Sequence, residues 1–306
     1  MVIKNGVKIS FVLKETMKPL VYLISISLFA WIVYTTTEFK HDLFSFAILG
    51  VLGTALSIFL GFRINEAYER WWEARKLWGA LVNYSRSFAR QINTLVTREN
   101  LNASEDLKSF REEMILRHVA YINALRLHLR NQEDFDLLGK YVDEEEIEYL
   151  KEKKNVPAFI AHIQSERLRS SFKSSLSDNI LLYEVDKNLI ELYNIQGGCE
   201  RIKNTVFPEH ISHFATTMAW IFSSLVPFAI IEVERFDWFE IMTGTFIGLT
   251  LIITDRLGME LKNPFENAAN DIPMTALCRT IEIDLLQMLG ETDLPEKVKS
   301  NEGVLL

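Results

Sequence analysis

Apolar and charged residues are strongly segregated along this chain, and its apolar stretches come as two close pairs. The first pair covers residues 19–37 and 43–62, which carry no charged side chain. The second pair covers residues 211–231, where one histidine is the only titratable group, and the shorter run 241–254. A helix that crosses the hydrocarbon core of a bilayer needs about 20 mostly apolar residues. The pattern therefore predicts four transmembrane helices.

The fourth of these stretches is the marginal one. Residues 241–254 reach a spanning length only if residues 236–240 are added to them. Asp237 and Glu240 would then have to lie at the membrane interface. We expect a fourth span that begins at this acidic connection and ends at residue 254.

Lysine and arginine residues near the span ends predict the orientation of the chain. The two short connections, residues 38–42 and 232–240, hold one positive charge each, Lys40 and Arg235. The other segments that flank the spans hold twelve lysine and arginine residues. Such residues are enriched on the cytoplasmic side of a membrane. We therefore expect both termini and the long middle segment to be cytoplasmic. No small-residue cleavage site follows the first apolar stretch, so that stretch is expected to remain as an anchor.

The segment between the second and third spans is poor in Gly and Pro, and its apolar residues recur at helical spacing. It predicts helices at 105–129, from Val156 onward and at 174–196, and a solvated helix or turn at 144–154, with a break at the glycine pair 197–198. Residues 263–274 predict an irregular segment, and a helix follows it. The fold class is all-α, an integral membrane helical bundle with a helical cytoplasmic domain. Its predicted segments are 1–18, 19–62, 63–210, 211–254 and 255–306.

Composition narrows the range of functions. The chain has 306 residues and a net charge of −8, which argues against nucleic acid as a partner. Its two cysteines, Cys199 and Cys278, fall in predicted cytoplasmic segments, where reduced thiols are expected. His210 and His213 could face one metal ion from one side of a helix, although a structural role at the interface is the more common one. Because the chain carries none of the metal, nucleotide or nucleophile motifs of enzymes, we expect no enzyme, no resident metal and no cofactor.

The second span has no breaker at its polar end, which predicts one long helix that leaves the membrane. Thr54, Ile58 and Phe62 lie four residues apart and share one face of that helix. The same face continues to Glu66 and then to Glu69 or Arg70. If several copies surrounded an axis, the face would form an apolar constriction followed by rings of carboxylates. A helix that packs its apolar face inside a bundle and exposes its charges to water would show the same pattern.

Residues 61–79, GFRINEAYERWWEARKLWG, closely resemble the second-span signature of the bestrophin family in its bacterial form. Residues 178–182 resemble the cytosolic-constriction segment of that family. Residues 263–265 (NPF) together with 270–273 (NDIP) resemble the segment that follows its last span. The order and spacing of the four spans also fit, so the resemblance covers nearly the whole chain.

The resemblance implies a homopentamer around one central pore in the bacterial plasma (inner) membrane, with the lipid bilayer and monovalent ions as its other partners. It implies a hydrophobic neck formed by Thr54, Ile58 and Phe62, and a cytosolic constriction formed by Ile180. Family necks are usually bulky and apolar at all three levels. Thr54 departs from this pattern, and we expect it to make the outer level wetter.

Animal members of the family are gated by calcium through an acidic cluster after Asn-Pro-Phe. The corresponding residues 266–271 (ENAAND) keep only two acids, Glu266 and Asp271. Calcium requires six or more oxygen ligands from a dense acidic loop. We expect no calcium clasp of the animal type.

The resemblance leaves ion selectivity open, because eukaryotic members conduct anions and bacterial members include cation channels. A pentamer would carry five times the net charge of −8, and rings of Glu66 and Glu69 would attract cations. We expect conduction of monovalent cations. The alternatives are a chloride channel of the same architecture and a membrane-anchored scaffold or sensor without a pore. A secondary transporter would show repeats and broken spans, which Gly50, Gly53 and Pro227 suggest only weakly.

Overall fold

The computed structural model of the chain describes residues 9–36, 46–173, 175–205, 209–230, 238–300 and 304–305. Over these residues it contains ten α-helices and an isolated β-bridge between Leu101 and Phe172. The helices are α1 (Ile9–Thr36), α2 (Phe46–Thr94), α3 (Leu107–Leu129), α4 (Phe135–Leu138), α5 (Glu144–Lys151), α6 (Val156–Ser171), α7 (Leu176–Asn204), α8 (Glu209–Ile230), α9 (Trp238–Leu261) and α10 (Met274–Leu289). The all-α fold class is confirmed.

Several sequence predictions fall outside the described residues. They are the first eight residues of the predicted N-terminal arm, the connection 38–42 with Lys40, and residues 232–237 with Arg235 and Asp237. The described part of the arm is helical, because α1 begins at Ile9 and runs on into the first apolar stretch.

The chain divides into two compact units, which we call the transmembrane unit and the extramembrane unit. The transmembrane unit contains α1, the first part of α2, α8 and α9. The extramembrane unit contains the rest of α2, α3 to α7, α10 and the residues that follow it. Two of the divisions fall between Trp71 and Trp72 and between Asn263 and Pro264. They lie further along the chain than the predicted segment ends at 62 and 254, because α2 and α9 continue past their uncharged stretches.

Four helices in the described ranges are long and apolar enough to span a membrane, in agreement with the sequence prediction. The candidate spans are Thr16–Thr36, Ala47–Thr94, His210–Ile230 and Trp238–Leu261. The fourth does include Trp238 to Glu240, as its length required, but it also continues for seven residues beyond 254. The helix therefore continues past the apolar run from which the fourth span was predicted. The reason is that Asp255 is buried inside the unit at 4% exposure instead of marking the water boundary.

The predicted single helix that leaves the second span is confirmed by α2, whose 49 residues continue without interruption. Gly50 and Gly53 do not break it. A Cβ atom at Gly53 would lie 2.6 Å from the Phe222 ring of α8, so the glycine allows close helix packing. α8 likewise continues through Pro227. The described spans therefore lack the broken helices that a secondary transporter would use.

The extramembrane unit is built around one apolar core. Its largest fully buried side chains include Trp78 and Phe88 of α2 and Phe110 and Tyr121 of α3. The predicted helix at 105–129 corresponds to α3, and the helix from Val156 corresponds to α6. Of the two alternatives for 144–154, helix or turn, the structure has the helix α5. Each of these helices is capped by a side chain that accepts a backbone N–H bond; the caps are Asp106, Asp143 and Asn155. Such caps satisfy donors that a helix N-terminus otherwise leaves unpaired.

The predicted break at Gly197 and Gly198 is wrong, because α7 continues through both residues to Asn204. A Cβ atom at Gly198 would lie 3.0 Å from both methyl carbons of Leu77 on α2. This glycine therefore serves the close packing of two helices and not a turn. Gly197 has open space around its Cβ position.

The predictions for the chain after the last span are confirmed. The residues from Asn263 to Pro273 form turns and bends without a helix, and α10 follows them.

Cys199 and Cys278 are both free and buried. Burial raises the pKa of each thiol to about 12, which keeps both in the unreactive neutral form.

Candidate functional site

The predicted neck residues occupy one exposed face of α2 in the transmembrane unit. Ile58 is 56% exposed and Phe62 is 68% exposed, and Thr54 is exposed one turn earlier. Leu60 lies on the opposite face, where it packs against Ala215 and Ala219 of α8. The protomer thus uses one side of α2 for packing and leaves the predicted neck side uncovered.

The hydroxyl of Thr54 is bonded within its own helix. Its Oγ1 donates to the carbonyl oxygen of Gly50 at 2.9 Å. The single hydroxyl proton is thereby used, and only acceptor lone pairs remain for water. The wetter outer level expected from Thr54 stays a prediction.

Arg63 follows Phe62 directly, yet its guanidinium lies inside the unit. Nη1 donates to Oδ1 of Asp255 on α9, and both side chains are about 95% buried, with exposures of 4% and 5%. The second carboxylate oxygen accepts a 2.9 Å bond from Oγ1 of Thr216 on α8. Close packing continues beside this pair, since a Cβ at Gly258 would lie 3.1 Å from Ile64. The ion pair fixes α2 against α8 and α9 just after the last neck residue.

The exposed face therefore continues with acidic residues. Glu66 and Glu69 are both exposed, and the carboxylate of Glu69 accepts a 2.8 Å bond from Nδ2 of Asn65. Glu66 forms no salt bridge with any residue in the described ranges. One turn after Phe62, the charge offered to solvent on this face is negative.

Ile180 lies in the extramembrane unit, on the first turns of α7. It is 59% exposed, and its neighbours on the same face, Leu176 and Tyr183, are 78% and 60% exposed. These are large exposed fractions for apolar side chains, and clusters of exposed apolar side chains on a protein surface often mark interaction sites. The sequence prediction placed only Ile180 on this surface.

Asp178 lies on the opposite side of the same helical turn, at 4% exposure. Its backbone N–H donates to Oγ of Ser175, the N-cap of α7, at 3.2 Å, and its carboxylate accepts a bond back from that hydroxyl. Oδ1 accepts a further bond from Nδ2 of Asn100 at 2.9 Å. These bonds, led by that from Ser175, hold the pKa of Asp178 below its ordinary value.

The two acids of the segment after the last span already have partners. Glu266 forms an ion pair with Lys203, in which Oε1 lies 2.7 Å from Nζ. Asp271 is 2% exposed, and its Oδ2 accepts the backbone N–H of Ala268 at 3.0 Å. Burial raises the pKa of Asp271, although backbone hydrogen bonds within the segment oppose the rise.

The histidine pair of α8 gives no support for a metal site. His210 and His213 are both exposed. Among the described residues there is no group of three or more His, Cys, Asp or Glu side chains that could hold a metal ion.

Sequence reasoning missed two polar contacts beside the predicted site residues. Arg63 was one of the twelve positive residues counted near the span ends, and Asp255 directly follows the predicted end of the fourth span at residue 254. An acid directly after an apolar run is a signal for a buried partner, because ionisable groups at membrane depth are usually paired. The bond from Asn100 to Asp178 joins residues 78 positions apart and left no local signal.

Comparison with known proteins identifies the family. A model of the bacterial/fungal bestrophin protein matches residues 6–287 of this chain. The chain belongs to the bestrophin family. It is therefore an ion channel of that family and not an enzyme.

Relatives of known sequence and solved structures are similar to this chain over most of its length. The voltage-dependent anion channel-forming protein YneE of Salmonella typhi is 34% identical over 264 residues, which are 86% of this chain and 82% of that protein. The voltage-dependent anion channel-forming protein alr2987 of Nostoc is 29% identical over 303 residues, 98% of this chain and 95% of that protein. A crystal structure of a bacterial bestrophin homologue from Klebsiella pneumoniae matches with a TM-score of 0.79 and 28% identity, covering 90% of this chain and 98% of that one.

Proposed function

We propose that this bestrophin is one subunit of a homopentameric channel that conducts monovalent cations across the bacterial inner membrane, with both termini in the cytoplasm. The neck would be formed by Thr54, Ile58 and Phe62, and the cytosolic constriction by Ile180. The skewed distribution of Lys and Arg around the spans supports the orientation.

The uncovered face of α2 supports the neck. Ile58 and Phe62 are more than half exposed in the single chain, whereas Leu60 on the opposite face of the helix is buried. Rings of such side chains around an axis would form an apolar constriction, which gates by excluding water.

The observation that carries the proposed cation selectivity is the inward position of Arg63. Its charge is neutralised by Asp255 inside the transmembrane unit. Glu66 and Glu69 therefore present the first charges on the exposed face after Phe62. A ring of carboxylates raises the local concentration of cations and repels anions.

The segment 266–271 supports a channel that does without the calcium clasp of animal members. Its Glu266 is paired with Lys203, and its Asp271 is buried and bonded to the backbone of the same segment. Calcium would need these oxygens together with several more. We propose gating that is independent of calcium at this segment.

An anion channel of the same architecture is the second candidate. The names of the Salmonella and Nostoc relatives, which describe anion channel-forming proteins, favour it. On this reading the exposed carboxylates would not face the permeation path.

Substitution of the acidic residues separates the two candidates. Glu66→Gln with Glu69→Gln should move the reversal potential in a NaCl gradient from the sodium value toward the chloride value. Glu144→Gln, an exposed carboxylate on α5, is the matched control and should leave it unchanged. A reversal potential that is the same in the double variant and the native channel would overturn the selectivity proposal.

A further inference from the structure

The start of α7 is held by a contact with a distant connection in the extramembrane unit. Residues Leu101 and Phe172 form an antiparallel β-bridge between the α2–α3 connection and the end of α6. Backbone bonds flank it, from Lys173 N to Asn100 O and from Asn102 N to Ser171 O, both at 2.9 Å. Leu101 is fully buried, so this bridge is part of the unit's core.

Asn100 connects this bridge to the first turn of α7. Its Oδ1 accepts two bonds from Thr97, at 2.8 Å from the backbone N–H and 2.6 Å from the hydroxyl. Its Nδ2 donates to Asp178 at 2.9 Å. The oxygen of the Asn100 amide is thus fixed by Thr97, and its nitrogen binds the first turn of α7.

Asp178 and Ile180 are two residues apart, which places them about 200° apart around a helix. Asp178 is 4% exposed and faces the core, whereas Ile180 is 59% exposed. If loss of the Asn100 contact lets the first turn of α7 rotate, Asp178 and Ile180 turn together about the helix axis. Ile180 is therefore displaced by the same angle as Asp178, on the opposite side of the helix.

We propose that Asn100 is a positioning residue for the constriction, which acts through Asp178 to fix the direction of Ile180. The inference rests on the proposed role of Ile180 in a pentamer. In a ring of five identical subunits, a small rotation of each copy changes the aperture on all sides at once. Asn100 then determines which ions are small enough to pass, although it does not touch them.

A double-mutant cycle on relative permeability tests the proposal. Reversal potentials are measured under bi-ionic conditions with a small ion against a larger one of the same charge. The pair is sodium against tetraethylammonium for a cation channel, or chloride against methanesulfonate for an anion channel. Asn100→Ala should raise the relative permeability of the larger ion by about twofold, because the aperture loosens. In a channel that already carries Ile180→Ala, Asn100→Ala should not raise this relative permeability further, since the large side chain that it positions has been removed.

Two further variants separate positioning from general loosening. Asp106→Ala removes the N-cap of α3, whose carboxylate accepts Ser109 N at 2.8 Å, and should leave the permeability ratio unchanged. Ser175→Ala removes the hydroxyl that holds Asp178 and should shift the ratio in the same direction as Asn100→Ala. It serves as the test if the Asn100 variant does not assemble.

The outcomes distinguish this inference from the proposed function. If Ile180→Ala leaves the ratio unchanged, the constriction itself is wrong. If Ile180→Ala changes the ratio but Asn100→Ala and Ser175→Ala do not, the positioning role is overturned. An equal effect of Asn100→Ala with and without Ile180, or an equal effect of Asp106→Ala, would also overturn it.

Discussion

Arg63 and Asp255 form a buried ion pair between α2 and α9, directly after the last residue of the proposed neck. Thr216 of α8 supplies a further hydrogen bond to the carboxylate at 2.9 Å. A buried pair of this kind adds little net stability over an apolar pair of the same size, but the loss of one partner leaves an uncompensated charge. The pair therefore makes the position of the neck helix sensitive to either residue alone.

Asp255→Asn should lower the free energy of unfolding by about 3 kcal/mol, because Arg63 stays buried without a counter-charge. Denaturant titration of the channel in detergent micelles measures this. The double variant Arg63→Met with Asp255→Leu should recover most of the loss, since it removes both charges. A single variant as stable as the native channel, or a double variant less stable than the single one, would show that the pair is not buried as described.

Ile58→Ala with Phe62→Ala should raise single-channel conductance or open probability, because the proposed neck loses the apolar bulk that excludes water. Planar-bilayer recording of purified channels measures both quantities. Phe29→Ala on α1 is the control, since this ring is also more than half exposed but packs near Phe228 and not on the neck face. Unchanged currents in the double variant would argue against a gate at these residues.

Gly198→Leu should destabilise the extramembrane unit by about 1–3 kcal/mol, because the new side chain must displace Leu77. Gly197→Leu, one residue earlier, should instead stabilise α7 by about 0.5 kcal/mol, since its Cβ position is open and leucine favours helices. The two variants are compared by denaturant titration followed by circular dichroism. Equal effects at both positions would contradict the packing assigned to Gly198.

The stability of the extramembrane unit should fall as the pH falls from about 6.5 toward 3, because of His118. Burial lowers the pKa of this histidine to about 3, so in this range the unfolded chain binds a proton that the folded chain does not. The unfolding free energy then decreases with falling pH by up to about 1.4 kcal/mol per pH unit.

The variant His118→Phe with Ser85→Ala removes the titrating ring together with its hydrogen-bond partner, whose Oγ lies 2.9 Å from Nε2. It should flatten the pH dependence of unfolding between about pH 6 and 5, where ordinary carboxyl groups stay ionised. His162→Gln, which changes an exposed histidine, should leave the dependence in place. A native-like slope in the double variant would rule out His118 as its source.

The sequence predicted those features that depend on local periodicity. Thr54, Ile58 and Phe62 share a face because of their spacing, and the continuous α2 follows from the absence of a breaker. The glycine pair in α7 was misinterpreted because its local conformational freedom is visible in the sequence, whereas the approach of Leu77 is a tertiary contact. The same limit applies to Asp255 and Asn100, whose partners lie 192 and 78 positions away. The proposed ion selectivity depends on which charges lie on the exposed face of α2, and the inward position of Arg63 is a tertiary feature that the sequence did not reveal.

The reversal potential of the purified channel in a planar bilayer under a NaCl gradient tests the central claim most directly. If Glu66 and Glu69 line the exit of the neck, as proposed, the current should reverse near the sodium equilibrium potential. Reversal near the chloride potential would contradict cation conduction and favour the anion channel.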